Sequence, residues 1–214
     1  EPSRLLAPAL VAQPGLRVPG AWGAFETLVR AMLGQQISVA AATTIAGRLV
    51  ERCGGAAPPD EAGLLTRVFP EPAAVAGADL VAIGLPSARA GALRAVAAAV
   101  ASDPALLGPA ASLEALVERL CRLPGVGPWT AHYMAMRGMR EPDAFPAGDL
   151  GLRRAAGGIT ARELAALSEE WRPWRAYAAI ALWTRTSEPE PSESRRPARA
   201  RARVPVQVQV QVQG

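Results

Sequence analysis

The chain has 214 residues, half of them hydrophobic, with 23 basic and 19 acidic side chains and a formal charge of +4. That length suits one large domain or two small ones, and the apolar half is enough for a core, which excludes a wholly disordered chain. No apolar run approaches the ~20 residues that span a bilayer, the N-terminus lacks a signal peptide's layout, and the two cysteines, Cys53 and Cys121, are too few for a disulfide framework.

A reducing, cytoplasmic setting is therefore expected. Along the chain, helical periodicity with caps recurs. Residues Ala21 to Leu33 place Phe25, Leu28, Val29, Met32 and Leu33 on one helical face, and Gly34 interrupts. Ser38 caps a second helix reaching Glu51, closed by Cys53-Gly54-Gly55. After the loop Ala56-Ala57-Pro58-Pro59, short helical pieces are predicted at Glu61–Val68, Pro72–Ala76 and Asp79–Ile83, the last ending at Gly84. Pro86 opens a longer alanine-rich helix to Ser102. Ser112 caps a helix to about Arg122; Leu123-Pro124-Gly125-Val126-Gly127 is a sharp turn, and Pro128 restarts helix toward Met136. Thr160 and Glu163 are spaced as a capping box, and Trp174 to Thr184 reads as the last helix. The sum is an all-α bundle of roughly eight to ten helices, with residues 1–186 as the domain and 187–214 as a tail. The tail carries five arginines and three glutamates, so +2 of the charge lies there and +2 on the remainder. Its Arg/Pro-rich part to Arg203 has the composition of disorder, and Val204–Gly214 alternates Val and Gln without an evident partner strand. The overall charge permits nucleic-acid binding without arguing for it.

Three places carry candidate chemistry. Gly125 and Gly127, separated by one residue ahead of a new helix, allow a tight reversal and a close approach by another surface, with free helix-start amides beyond. Arg119, Arg122, Arg137 and Arg140 flank this turn. The geometry suits a phosphate equally well as it suits an ordinary αα-corner. Asp149, after Phe-Pro-Ala-Gly, falls at a helix start, where amide dipoles favour negative charge; taken alone it is an N-cap. Trp129 and Tyr133 share one helical face, and taken singly each aromatic is core. His132, the only histidine, suits a surface or DNA-backbone role better than proton transfer.

Together these residues form a recognisable series. Leu123-Pro124-Gly125-Val126-Gly127-Pro128-Trp129-Thr130-Ala131 resembles the helix–hairpin–helix motif of the base-excision DNA glycosylase superfamily. Phe145-Pro146-Ala147-Gly148-Asp149-Leu150-Gly151-Leu152-Arg153-Arg154 resembles its Gly/Pro-rich loop and aspartate. The run from Phe25 to Ser38, with Gln35-Gln36-Ile37-Ser38, and the closing Trp171-Arg172-Pro173-Trp174-Arg175-Ala176-Tyr177-Ala178 are similar to AlkA-type 3-methyladenine DNA glycosylases II. The likeness runs in order from about Leu10 to Thr186.

The resemblance implies two lobes with a cleft between them, and a monomer acting on double-stranded DNA that contains alkylated bases. It assigns Asp149 to catalysis, because N-glycosidic cleavage develops positive charge on the sugar that a fixed anion stabilises. It places Trp129, Tyr133 and Trp183 around a flipped base, where a cationic alkylpurine is held by cation–π attraction. Trp171 and Trp174 are better suited to packing. Gln35, Gln36, Ser38, Leu123, Gly125, Val126, Gly127, Trp129 and Thr130 map to DNA contact. Gln36 stands where an apolar wedge can occur, so any insertion here relies on hydrogen bonds more than on unstacking. Backbone carbonyls of Cys121, Leu123 and Val126 map to a monovalent cation, Na or K; no other cofactor is expected.

Two departures narrow the branch. All 23 basic residues are arginine, so no lysine side chain exists for the Schiff base of bifunctional relatives, and a monofunctional enzyme is expected. Two cysteines also cannot hold an iron–sulfur cluster on four. The likeness begins late, leaving no room ahead of Ala21 for the N-terminal β-rich or methyl-accepting domains of some relatives, as in a compact variant or the C-terminal part of a longer product. The rival expectation is a non-catalytic hairpin module that binds DNA backbone.

Overall fold

The computed structural model describes residues 2–58 and 66–187. Among them the chain forms ten α-helices: α1 (Pro2–Ala12), α2 (Ala24–Leu33), α3 (Val39–Cys53), α4 (Pro72–Gly77), α5 (Ser87–Ser102), α6 (Leu113–Cys121), α7 (Pro128–Gly138), α8 (Leu150–Ala155), α9 (Ala161–Ser168) and α10 (Arg175–Ser187). Two 3-10 turns, Pro104–Leu107 and Glu169–Trp171, join neighbours. No described helix is long and apolar enough to cross a membrane.

Local chemistry sets most boundaries. Ser38 accepts from Ala41 N–H at 3.2 Å to start α3, and Ser112 accepts from Ala115 N–H at 3.2 Å to start α6. The Thr160–Glu163 capping box is complete, Glu163 accepting from the Thr160 amide at 2.8 Å. α2 turns Leu28, Val29, Met32 and Leu33 inward and keeps the Glu26–Arg30 pair outside at 2.7 Å. Pro86 is the N-cap of α5 rather than its first residue, and α10 begins at Arg175 and extends to Ser187.

Two expected helical pieces are not helical where the structure describes them. Thr66–Val68 is extended, because Ala56 and Arg67 pair in an isolated antiparallel bridge with Ala57 N–H on Thr66 O at 3.1 Å; residues 61–65 of that expected piece lie outside the described residues. Asp79–Ile83 is a single turn: Asp79 Oδ1 takes the Val81 and Ala82 amides at 3.1 and 3.3 Å, and Gly84 leaves at φ +99° before a helix can propagate. The tail from 188 onward also lies outside the described residues. In the other direction, α1 is a helix without a counterpart in the sequence reading; Leu5, Leu6 and Ala9 pack it onto the core.

The helices fall into two lobes around α7. α2 and α6 lie against α7, with α3, α4 and α5 on their side; α1 and α8 lie against α10 on the other. Leu28, Leu33, Leu49, Leu93, Leu120, Met134, Leu152 and Leu182 are fully buried in one continuous cluster spanning both. Each such side chain contributes about 1.5–3 kcal/mol by leaving water, so the cleft between the lobes has rigid walls.

Candidate active site and nucleic-acid interface

A cleft of about 1320 Å³ separates the lobes, bordered by the Gly34–Ser38 loop, the Cys121–Thr130 hairpin and the Gly148–Leu150 segment. Asp149 lies on its wall. It is the N-cap of α8, and its Oδ1 accepts from Leu152 N–H at 2.9 Å. Two indoles converge on the same carboxylate: Trp183 Nε1 donates to Oδ1 at 2.9 Å and Trp129 Nε1 donates to Oδ2 at 3.0 Å. Among the described residues no guanidinium comes within ion-pair distance of it. Gly151 makes this cradle possible, since a Cβ there would stand 3.1 Å from Asp149 Oδ1 and 3.4 Å from Trp183 Cδ1. The sequence held a signal for it, a helix-disfavouring glycine in the first turn beside the acid.

The rings form a continuous wall. Trp129 and Tyr133 are stacked with centroids 5.4 Å apart and 19° between planes, and Trp183 meets Tyr133 edge-on at 6.4 Å. A recess of about 330 Å³ borders Trp129 and Tyr133, enclosed by Gly34 and Ile37 of the loop after α2 and by Ala42 and Ala46 of α3; Gly34, Ile37 and Trp129 also border the main cleft. It is large enough for a purine, and most of its walls are apolar. Trp171 is buried against Phe145, whereas Trp174 keeps more than half its surface exposed and meets only Tyr177 edge-on.

The hairpin turns at Gly125, φ +75°, where any Cβ would be 3.1 Å from Ala92 of α5. Gly127 is the N-cap of α7 and is exposed in the cleft with Gly125. Leu123, Val126 and Thr130 turn their side chains inward, which leaves their backbone to face the cleft. Gln35 bonds to the hairpin, its Nε2 donating to Gly125 O at 3.0 Å and Thr130 Oγ1 at 2.9 Å. Gln36 is exposed at φ 60°, and Ser38 caps α3 at the cleft edge. Of the four flanking arginines only Arg122 borders the cleft. Arg119 turns back to Gly108 O and Pro109 O, Arg137 lies 5.8 Å over the Tyr133 ring, and Arg140 packs on Gly20.

Behind the wall, the sequence reading missed a charged cluster. Asp143 Oδ1 and Oδ2 accept from Arg175 Nε and Nη2, each at 2.9 Å; Arg172 pairs with the same carboxylate, and Arg175 Nη1 reaches Glu169 at 2.8 Å. This fastens the segment after α7 to the start of α10, as does Ala176 N–H on Pro142 O at 2.9 Å. His132 lies beside this cluster: it is half-buried, and its Nδ1 accepts from Phe145 N–H at 3.3 Å. Burial, and then the charge of Arg175, lower its proton affinity below the ordinary imidazole range, which suits a neutral acceptor.

This arrangement of hairpin, acid and aromatic wall agrees with comparison to known proteins. The model of the HhH-GPD superfamily of base excision DNA repair proteins matches residues 29–170. The chain belongs to this superfamily. Among HhH-GPD relatives, the probable bifunctional transcriptional activator/DNA repair enzyme AlkA of Mycobacterium tuberculosis (strain CDC 1551 / Oshkosh) is 44% identical over 180 residues, 82% of this chain and 36% of that protein. DNA-3-methyladenine glycosylase 2 of Escherichia coli (strain K12) is 36% identical over 175 residues, covering 80% of this chain and 61% of that one. The chain thus spans about a third of the first relative and under two thirds of the second. A 3-methyladenine DNA glycosylase of Schizosaccharomyces pombe, solved with abasic DNA, matches with a TM-score of 0.66 at 26% identity, over 86% of this chain and 90% of that one.

Proposed function

We propose that this HhH-GPD protein is a monofunctional DNA glycosylase that flips alkylated bases out of double-stranded DNA, 3-methyladenine-like and 7-methylguanine-like purines above all, and leaves an abasic site. The observation that carries the reading is the Asp149 carboxylate, fixed by two indole N–H groups and one amide and, among the described residues, paired with no cation. As the glycosidic bond breaks, the sugar gains positive charge, and a preorganised, unneutralised anion stabilises it. Oδ1 takes two of the three bonds and Oδ2 one, so Oδ2 keeps an acceptor position for the attacking water.

The Trp129 indole, stacked on Tyr133, also borders the recess that would take the base. A purine alkylated at N3 or N7 is already cationic, so it is drawn to the rings and departs without needing a general acid. The groups bonded to Asp149 are neutral donors, and none is a strong acid, which favours such bases. The exposed hairpin glycines and the first amides of α7 would engage the DNA backbone, which positions without reading sequence. A monovalent cation also suits the hairpin. Among the described residues no donor is bonded to the Cys121 or Val126 carbonyl, and the Leu123 carbonyl accepts Val126 N–H at 3.1 Å with a second lone pair to spare. A bound ion would add positive charge there for phosphate. The enzyme is proposed to work as a monomer on the DNA of a bacterial cytoplasm.

Release of free base from a methylated duplex is the test. Wild-type protein should liberate base and leave alkali-labile abasic sites, and borohydride added during the reaction should trap no covalent protein–DNA adduct, since the chain has no lysine. Affinity for duplex without any base release would make the chain a binding module instead, and a strong adduct would overturn the monofunctional reading.

A further inference from the structure

We propose that Gln35 is a positioning residue that ties the Gln36 loop to the hairpin, so that the two DNA-facing elements of the cleft act as one rigid unit. The proposal rests on the glycosylase reading above and assigns Gln35 a task other than touching DNA. Its amide nitrogen is bonded to Gly125 O at 3.0 Å and to Thr130 Oγ1 at 2.9 Å, residues that lie 90 and 95 positions further along the chain. Both N–H groups are thereby used. Thr130 is only 2% exposed, so one end of the tie is anchored in the core of α7 and the other in the turn itself.

The surroundings hold the rest of the loop just as firmly. Arg89 of α5 donates to Leu33 O at 3.0 Å, a carbonyl at the open end of α2, and to Met32 O at 2.8 Å, which also takes the Gln35 N–H at 3.4 Å. Ser38 is fixed as the cap of α3. Between these anchors Gln36 stands exposed in the left-handed region, φ 60°, which a non-glycine residue keeps only where its neighbours over-determine it. Gln35 is the neighbour that does so from the hairpin side. If the hairpin grips phosphates while Gln36 meets the space vacated by the flipped base, the spacing between them must hold, because misplacement of about 1 Å is felt in rate.

A double-mutant cycle tests this. Gln35→Met keeps the length and removes the donors, and Thr130→Val removes the hydroxyl acceptor. Gln35→Met should slow single-turnover base release from a methylated duplex about tenfold, with affinity for an undamaged duplex unchanged. Thr130→Val should slow it about threefold, since the Gly125 bond survives, and the double variant should be no slower than Gln35→Met. Losses that multiply, a wild-type rate for Gln35→Met, or a slow Gln35→Met beside an unaffected Thr130→Val would each overturn the tie; the last would mark a direct DNA contact. Should wild-type protein release no base, the glycosylase reading falls by itself. The same cycle is then read in affinity for a duplex holding an abasic-site analogue, with the same non-additivity expected.

Discussion

Asp143 and Asp149 stand on the same segment between α7 and α8, and the structure holds them in opposite ways. Asp143 is 9% exposed and meets two guanidinium groups, Arg172 and Arg175, one of which is itself 6% exposed. Its charge is cancelled where it sits. Asp149 is gripped as tightly, yet among the described residues its partners are the neutral N–H dipoles of Trp129, Trp183 and Leu152. An ion pair fixes a carboxylate and neutralises it; dipoles fix it and leave the charge to act on whatever enters the cleft. The first arrangement builds a scaffold, and the second builds a site for a developing cation.

Substitutions at the two acids would break this contrast most sharply. Asp149→Asn should lower single-turnover base release by at least about a hundredfold, with a nearly unchanged melting temperature because asparagine is an equally good N-cap. Near wild-type release from that variant would end the comparison. Asp143→Asn should do the reverse. Buried Arg175 then loses its bidentate carboxylate and keeps the ion pair to Glu169 alone among the described residues, which costs about 3 kcal/mol and a melting temperature lower by roughly 10 °C, while protein that stays folded at 25 °C keeps most of its rate.

A smaller effect is expected at the dipoles. Trp183→Phe keeps a ring for the base and removes the N–H, so it should slow release about tenfold with little change in affinity for an abasic-site duplex. Equal losses in both would make Trp183 a support of the DNA-binding surface and not a group that orients the acid. The smallest effect concerns His132, whose native proton affinity is depressed by burial and then by Arg175, with Glu114 and Asp143 opposing and Arg172 adding to it. The unfolded chain binds the proton more readily, so the stability tied to neutral His132 is complete above the ordinary value of 6.5 and is lost as pH falls through the lower native one. His132→Gln should flatten that part of the melting-temperature profile.

How far the sequence could be read follows the range of each interaction. Ser38, Ser112 and the Thr160–Glu163 box act on amides three residues away, and those helix starts were legible. Thr66–Val68 was misread because Arg67 pairs with Ala56, 11 positions back along the chain. Asp149 and the three rings were legible as a family motif, whereas the bonds that join them were not: Trp129 is 20 positions away and Trp183 34. The bond of His132 to Phe145 was illegible for the same reason, being formed only when α7 folds against the following segment.

The sequence by itself determined the helical class, the capped starts, the glycine turn and which acid and rings to watch, because periodicity, capping and backbone freedom are properties of neighbouring residues. Tertiary structure alone decided which aspartate is neutralised, which residue ties the Gln36 loop, and where the cleft opens. Those outcomes depend on groups brought within hydrogen-bond distance by the packing of distant helices, and no local pattern encodes that distance.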